Sequence, residues 1–167
     1  MIAANEYASA HSLRGITLIS NQFSLAKMLS PIWSGCVSSN DMAQLEWLNS
    51  NQITLMPWSS QARGFFVAGN ASDTSSPELV RCWYDAQNFQ RLERAKALAG
   101  VLGVETINVA LAYVLHQPFA TFPLIGPRSK AETASSFRAL EIGLTPAEVA
   151  WLNLETDAVP PCVTARA

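Results

Sequence analysis

Thr121-Phe-Pro-Leu-Ile-Gly-Pro-Arg-Ser-Lys-Ala-Glu132 joins a short apolar run, a Gly-Pro turn and the start of a helix. Ser129 and Glu132 form the Ser-x-x-Glu pattern, in which each side chain satisfies a free backbone N–H at the helix end. Such an end gathers free N–H groups and the positive end of the helix dipole, and Arg128 adds a permanent planar cation beside it. The pattern predicts a phosphate site. The alternative is an ordinary strand-to-helix connection with an exposed arginine.

Two further apolar runs resemble the one that precedes this turn. Strands are therefore predicted over residues 16–24, 53–60 and 120–125. Pro57 is awkward inside a strand, so the second strand is expected to stop pairing there. Residues 61–75 are predicted to form a loop, and residues 158–167 an extended or disordered tail.

Helix signals separate the strands. Ser76 before Pro77 marks a helix start, and Gly103 marks a helix end. Helices are predicted over residues 2–11, from an N-cap at Asn40 to residue 49, over 77–102 in one or two pieces, over 107–116, over 130–140, and from a capping box at Thr145 to about residue 154. Strands separated by helices predict an α/β fold with parallel pairing and open outer edges.

Ligands bind at the carboxyl ends of the strands in parallel α/β folds. The first strand ends at Asn21-Gln22, the second at Trp58-Ser59-Ser60, and the third at the turn before Arg128. An amide pair, an aromatic face and an anion site on one rim would suit a nucleotide with a flat ring and a phosphate. The alternatives are that Trp58 packs in the core and that Gln22 is only a polar strand end.

Composition narrows the class of protein. The 167 residues are 49% hydrophobic and 14% charged, with a formal net charge of −2, which predicts one domain with a real core and no nucleic-acid partner. No apolar run approaches about 18 residues, so no membrane span is expected. The N-terminus lacks the pattern of a signal peptide, and three widely spaced cysteines predict reduced thiols and a cytoplasmic location.

No catalytic or metal-binding set is evident. Metal-ligand spacing, a Ser-His-Asp order and Gly-x-Gly-x-x-Gly are all missing, and His11 and His116 lie on helices rather than at strand ends. The sequence therefore predicts no metal site, and it identifies no catalytic residue.

Three segments together resemble the C-terminal half of aldo-keto reductases. They are Pro57-Trp-Ser-Ser-Gln-Ala-Arg-Gly-Phe65, Ala110-Leu-Ala-Tyr-Val-Leu-His116 and Phe122-Pro-Leu-Ile-Gly-Pro-Arg128. The resemblance runs from about residue 2 to 154. It implies an NADP-dependent oxidoreductase that interconverts small carbonyls and alcohols, and a partial (β/α)8 TIM barrel over residues 1–157. The three strands would then be the family's sixth, seventh and eighth.

The resemblance also implies how NADPH would bind. At the nicotinamide end, Gln22 would hold the carboxamide and Trp58 would stack on the ring. Along the pyrophosphate would lie Ser59, Ser60, Gln61 and Arg63.

The adenosine end would lie at the turn quoted above. Gly126, Arg128 and Ser129 would hold the 2′-phosphate, and Glu132 and Ser136 would lie near the adenine. Ser136 stands where the family often has Asn, so its contact with the adenine is the weakest of these assignments.

The chain also departs from the family pattern. The family's catalytic Asp, Tyr, Lys and His come from strands that would precede residue 1, and the first helix here has no start signal. The expectation is a truncated chain that keeps the NADP-binding half and is inactive alone. The alternative is a non-enzymatic half-barrel that pairs with itself or with a partner chain. A shortened gene, a misplaced start codon and a natural short form are all compatible with the sequence.

Overall fold

The computed structural model describes residues 1–164. Its helices are α1 (Ile2–Ala10), α2 (Met42–Ser50), α3 (Phe65–Ala68), α4 (Pro77–Trp83), α5 (Ala86–Leu102), α6 (Thr106–Leu115), α7 (Lys130–Arg138), α8 (Pro146–Leu152) and α9 (Pro161–Thr164). Its strands are β1 (Leu18–Ile19) and β2 (Thr54–Leu55). Single 3₁₀ turns occupy Ala62–Gly64 and Ala139–Glu141.

The sheet is parallel and smaller than predicted. Leu18 lies opposite Thr54 and Ile19 opposite Leu55, so β1 and β2 form a two-stranded sheet. The third predicted strand, residues 120–125, adds to the far side of β2 only through an isolated parallel bridge between Leu55 and Thr121. The expectation of about three parallel strands is corrected to two strands and one bridging segment. Pro123 in that segment lacks an N–H, which limits its ladder.

Pairing past the proline of β2 also differs from expectation. The regular strand ends at Leu55, before Pro57, but Trp58 then forms an isolated parallel bridge with Gln22. The expectation that pairing stops at Pro57 was therefore wrong at one position. The proline removes one backbone donor, whereas its neighbours keep theirs.

Most predicted helix ends are confirmed. Ser76 Oγ accepts from Leu79 N, Thr145 and Glu148 form a reciprocal capping box, and Gly103 ends α5 with φ of 67°. The N-cap of α2 was predicted wrongly, because it is Asp41 rather than Asn40. The Asp41 carboxylate accepts from Ala43 N at 2.8 Å, and a negative charge suits a helix start.

The core is built around α6, which is buried from Asn108 through Val114 and packs against α3, α5 and α7. Its apolar character on nearly all sides is as predicted, since such a helix must be covered on every face. Leu92, Ala95 and Leu98 of α5 complete the contact. This packing fixes α7, the helix that follows the Gly-Pro turn.

Two segments predicted to lack regular structure contain short helices. Residues 61–75 include a 3₁₀ turn and α3, whose Phe65 and Phe66 are buried. The predicted tail contains α9, in which Cys162 Sγ donates to Glu148 Oε1 at 3.0 Å. Pro161 presets the φ of a first helical residue, and Val163 packs on the core. Residues 165–167 of the tail lie outside the described residues.

Within residues 1–164, no single helix has the length and apolarity needed to cross a membrane. Helices α5 and α6 meet that test only as a pair, and the pair is bent by 101°.

Candidate functional site

The carboxyl ends of β1, β2 and the 120–125 segment lie side by side. Trp58 N donates to Asn21 O at 3.3 Å, and Leu124 N donates to Pro57 O at 2.9 Å. Ser60 Oγ then donates to Leu124 O at 2.8 Å, which ties the end of β2 to the 120–125 segment. The three strand ends singled out in the sequence therefore share one edge.

Gln22 lies at this edge, but its side chain is wholly buried. Its Oε1 accepts from Ser38 Oγ at 2.7 Å and from Asn40 Nδ2 at 3.4 Å. Its Nε2 donates to Ser24 Oγ at 2.9 Å. Both ends of the carboxamide therefore already have hydrogen-bond partners within the chain.

Trp58 is half-buried and stacks on Trp33 from the loop between β1 and α2. The ring centroids are 4.7 Å apart with an interplanar angle of 27°. Trp33 itself is 52% exposed, so the stack lies at the surface. One face of Trp58 is thus covered by another indole.

The segment after Trp58 has an unusual backbone. Ser59, Ala62 and Arg63 all have φ near 50°, a left-handed conformation that costs non-glycine residues roughly 1–2 kcal/mol each. Arg63 is paired with Glu78 of α4 through Nε and Oε1. Gln61 Nε2 donates to Ser136 Oγ of α7 at 3.3 Å, although the two residues are 75 positions apart. These contacts hold the segment against α4 and α7.

The Gly-Pro turn is the open part of the edge. Apart from its chain neighbours, a Cβ added to Gly126 would meet no atom within 4 Å. The Arg128 side chain is 91% exposed, and its Nε lies 4.0 Å from the Glu132 carboxylate.

Ser129 caps α7 as predicted, because Ser129 Oγ accepts from Glu132 N at 3.1 Å. The Glu132 carboxylate reaches further back than a standard capping box and accepts from Arg128 N at 2.6 Å. The nine-residue α7 therefore begins beside an exposed cation.

The two halves of this edge fit a dinucleotide differently. The exposed Arg128, the unobstructed Gly126 and the start of α7 fit a phosphate group. The carboxamide of Gln22 and one face of Trp58 are engaged by the chain itself. The phosphate end of the edge therefore fits the predicted cofactor, whereas the nicotinamide end is covered in this conformation.

Among the described residues, no acid–base group is evident at this edge. Tyr113 is buried in α6, and burial raises the pKa of its phenol far above the ordinary value. His116 ends α6 with its Nδ1 2.8 Å from Ala112 O. In residues 1–164, no group of three or more His, Cys, Asp or Glu side chains could hold a metal ion.

Four residues at the edge were not predicted to act there. Trp33 stacks on Trp58, Ser38 and Asn40 bind Gln22, and Glu78 binds Arg63. A tryptophan between Pro31 and Gly35 was the one available signal, since a large aromatic residue in a loop needs a partner surface. The polar residues gave no signal, because their partners are distant in sequence.

Comparisons with known proteins agree with the predicted resemblance. The sequence model of the Aldo/keto reductase family matches residues 4–153. An uncharacterized oxidoreductase of Bacillus subtilis is 40% identical over 103 residues, which is 60% of this chain and 31% of that protein. Versiconal hemiacetal acetate reductase of Aspergillus parasiticus is 28% identical over 109 residues, 60% of this chain and 32% of that protein.

A solved structure shares the fold. The crystal structure of a thermostable aldo-keto reductase with the inhibitor epalrestat superposes with a TM-score of 0.57 and 17% identity. The match covers 90% of this chain and 44% of that one. The chain thus spans less than half of the solved structure and about a third of these two relatives.

Proposed function

This chain belongs to the aldo/keto reductase family of oxidoreductases, and we propose that it binds NADP(H) along the carboxyl edge of β1 and β2. The observation that carries the proposal is that the Gln22, Trp58 and Arg128 segments, far apart in sequence, meet along one edge. In this proposal β1, β2 and the bridging segment correspond, in that order, to strands six, seven and eight of a TIM barrel. Bound NADPH would supply the hydride for carbonyl reduction wherever a proton donor is also present.

The 2′-phosphate of the adenosine is assigned to the turn before α7. Arg128 provides an exposed fork that matches phosphate geometry, and Gly126 lets the backbone approach closely. Ser129 is the N-cap of α7, and the first backbone N–H groups of a helix have no acceptor within the helix backbone. Glu132 and the buried Ser136 lie further along α7, on the side proposed for the adenine.

The pyrophosphate is assigned to the segment between Ser59 and Arg63. The hydrogen bond from Gln61 to Ser136 of α7 supports a position of this segment between the two ends of the proposed site. Arg63 would need to exchange Glu78 for a phosphate oxygen, and its half-exposed side chain permits this. Ser60 contributes through its backbone, since its hydroxyl is bound to Leu124 O.

A polypeptide of these 167 residues is proposed to hold the cofactor but not to reduce carbonyls by itself. The described part of the edge offers no exposed tyrosine, lysine and histidine set that would donate a proton to a carbonyl oxygen. Proton transfer from a positioned side chain contributes typically about 10²–10⁴-fold to a rate. Without it, hydride transfer to a small carbonyl substrate should be negligible.

Two assays on the purified chain test the proposal. Titration with NADPH should quench tryptophan fluorescence, because a bound reduced nicotinamide absorbs where tryptophan emits and can take up that energy without stacking on Trp58. Incubation with NADPH and a panel of aldehydes should consume no NADPH above background. Consumption above background would refute the inactivity, and absence of any binding would refute the cofactor assignment.

A second candidate function is pairing between copies of the chain. Both outer edges of the sheet carry exposed apolar side chains, with Leu18 at 43% and Phe122 at 61% exposure. Such edges are templates for another strand, and lysine on an edge discourages pairing. Light scattering should show dimers or larger species that Leu18→Lys reduces to monomer. A stable, soluble wild-type monomer would count against this candidate.

A further inference from the structure

One loop engages both groups assigned to the nicotinamide. We define the covering loop as residues 31–40. Its Trp33 stacks on Trp58 at 4.7 Å, and its Ser38 and Asn40 both donate to the Oε1 of Gln22. The Gln22 side chain is fully buried. The loop therefore provides the aromatic contact and the amide contact that a nicotinamide ring would otherwise make.

The covering loop is anchored to α4. The Arg81 guanidinium donates to Pro31 O at 2.5 Å and to Ile32 O at 3.2 Å, on the two residues before Trp33. Just upstream, Leu29 N donates to Cys82 O at 2.8 Å. These bonds fix the backbone that carries Trp33, so its stack on Trp58 is a defined arrangement.

A second anchor lies at the start of the same connection. Buried Asn88 of α5 accepts from Lys27 N and donates to Lys27 O, both at 2.8 Å. A two-way amide contact of this kind fixes the position of a backbone segment strongly. The connection from β1 to Trp33 is thus held at two successive points by α4 and α5.

The opposite end of the edge has no such cover. The Arg128 side chain is 91% exposed, and a Cβ added at Gly126 would meet nothing within 4 Å. We propose, on the basis of the function proposed above, that the chain recognises NADP(H) through its adenosine 2′,5′-bisphosphate moiety, with Trp33 excluding the nicotinamide ring from Trp58. Trp33 is then the residue that determines which part of the cofactor contributes affinity.

The energetic reason is that stacking would be exchanged rather than gained. A nicotinamide ring that displaces Trp33 replaces one aromatic contact of Trp58 with another, and it also breaks hydrogen bonds to Gln22. Binding energy spent on moving the loop does not appear as affinity. Removing the Trp33 ring frees the Trp58 face without touching the phosphate end.

Calorimetric titration of the chain with NADP⁺ and with adenosine 2′,5′-bisphosphate distinguishes the affinity contributed by the nicotinamide end of the cofactor from that contributed by the adenosine end. For the wild-type chain, the two dissociation constants should agree within about threefold. Trp33→Ala should tighten NADP⁺ about tenfold, the order of one base–aromatic stack, and leave adenosine 2′,5′-bisphosphate unchanged. Val37→Ala is the matched control, because Val37 lies in the same loop with its side chain 55% exposed, and it should change neither ligand.

The outcomes distinguish this inference from the function on which it rests. If neither ligand binds to any variant, the cofactor assignment itself fails, and this inference fails with it. If both bind but wild type prefers NADP⁺ by more than about tenfold, the nicotinamide end is open and only this inference fails. The same conclusion follows if Trp33→Ala weakens NADP⁺ or leaves it unchanged. Trp33→Leu should reproduce the alanine result while retaining apolar volume.

Discussion

At Gly126 the fold and a bound ligand would place different requirements on the residue. Its backbone is outside the left-handed region, and a Cβ built on it would meet no atom within 4 Å. The fold would therefore accept alanine at this position. A glycine remains useful where a phosphate must approach the backbone closely. Residue 126 is thus a place where stability and binding should respond differently to one methyl group.

Gly126→Ala is expected to leave the free energy of unfolding unchanged or raise it by about 0.4–1 kcal/mol, because alanine reduces the entropy of the unfolded chain. The same change should weaken NADP⁺ binding by crowding the phosphate. Denaturant titration and calorimetry measure the two quantities. Gly143→Ala is the control, since its Cβ also meets no atom within 4 Å and Gly143 lies beyond α7. Equal NADP⁺ affinity in both variants would argue against phosphate at residue 126.

At the scale of elements, α5 holds the chain that follows α8 through Arg94. The guanidinium is nearly buried and donates to Trp151 O at 2.6 Å and to Thr156 O at 2.7 Å. It also lies 5.3 Å from the centre of the Trp151 ring. The ion pair between Arg94 and Asp157 is screened by solvent, because the Asp157 side chain is 97% exposed. The two carbonyl contacts should carry most of the stabilisation.

Arg94→Ala is expected to cost about 2–4 kcal/mol of unfolding free energy, because it removes two charge-assisted hydrogen bonds and the packing of a nearly buried side chain. Asp157→Ala should cost less than about 1 kcal/mol, as exposed ion pairs do. Chemical denaturation of both variants compares the two contributions. Similar losses in the two would show that the ion pair, and not the carbonyl contacts, fixes the end of α8.

The capping box of α8 makes the fold sensitive to acid. Burial favours the neutral form of Glu148, but hydrogen bonds from the Cys162 thiol and from Thr145 N and Oγ1 outweigh it and lower the pKa of Glu148. A carboxylate whose pKa is lower in the folded state stabilises the fold above its unfolded pKa, about 4.3 for glutamate. That stabilisation is lost as the pH falls through the lower, folded-state pKa.

Glu148→Gln should therefore be less stable than wild type at pH 7, and the difference should shrink as the pH falls below about 4. Unfolding free energies measured from pH 7 down to pH 3 follow this convergence. Glu141→Gln, at an exposed position on the preceding 3₁₀ turn, controls for the loss of one negative charge. A constant difference across the pH range would show that Glu148 is not ionised preferentially in the folded state.

For the whole molecule, features that depend on neighbouring residues, such as helix caps, were predicted well, whereas features that depend on distant residues, such as strand lengths, were not. Ser76, Ser129 and Thr145 cap the helices they were expected to cap, because capping depends on residues within one turn. Strand lengths were overestimated, since pairing depends on a neighbouring strand and not on the run of apolar residues. The prediction that Asn40 caps α2 was wrong. Asp41 is the N-cap, and its negative charge interacts favourably with the positive end of the helix dipole.

At the candidate site, the order of the segments could likewise be predicted, whereas the partners of individual side chains could not. The order of its segments along one edge followed from parallel pairing and the family resemblance. The partners of individual side chains did not, because Gln22 meets Ser38, and Gln61 meets Ser136, only after the chain has folded. The stack of Trp33 on Trp58 required the path of a whole loop to be known. Assignments of ligand contacts at these positions stay predictions.

The most direct measurement is the affinity of the chain for NADPH and NADH, with and without Arg128. Calorimetric titration of wild type, Arg128→Ala and Arg138→Ala compares two exposed arginines: Arg128, which precedes the N-cap of α7, and Arg138, the last residue of this helix of about 13 Å. Wild type should prefer NADPH, and Arg128→Ala should weaken NADPH about 10- to 100-fold, the loss of one charge-assisted contact. NADH binding and the Arg138→Ala variant should change little. Equal weakening of NADPH and NADH by Arg128→Ala, or no effect on either, would contradict the assignment of the 2′-phosphate to this turn.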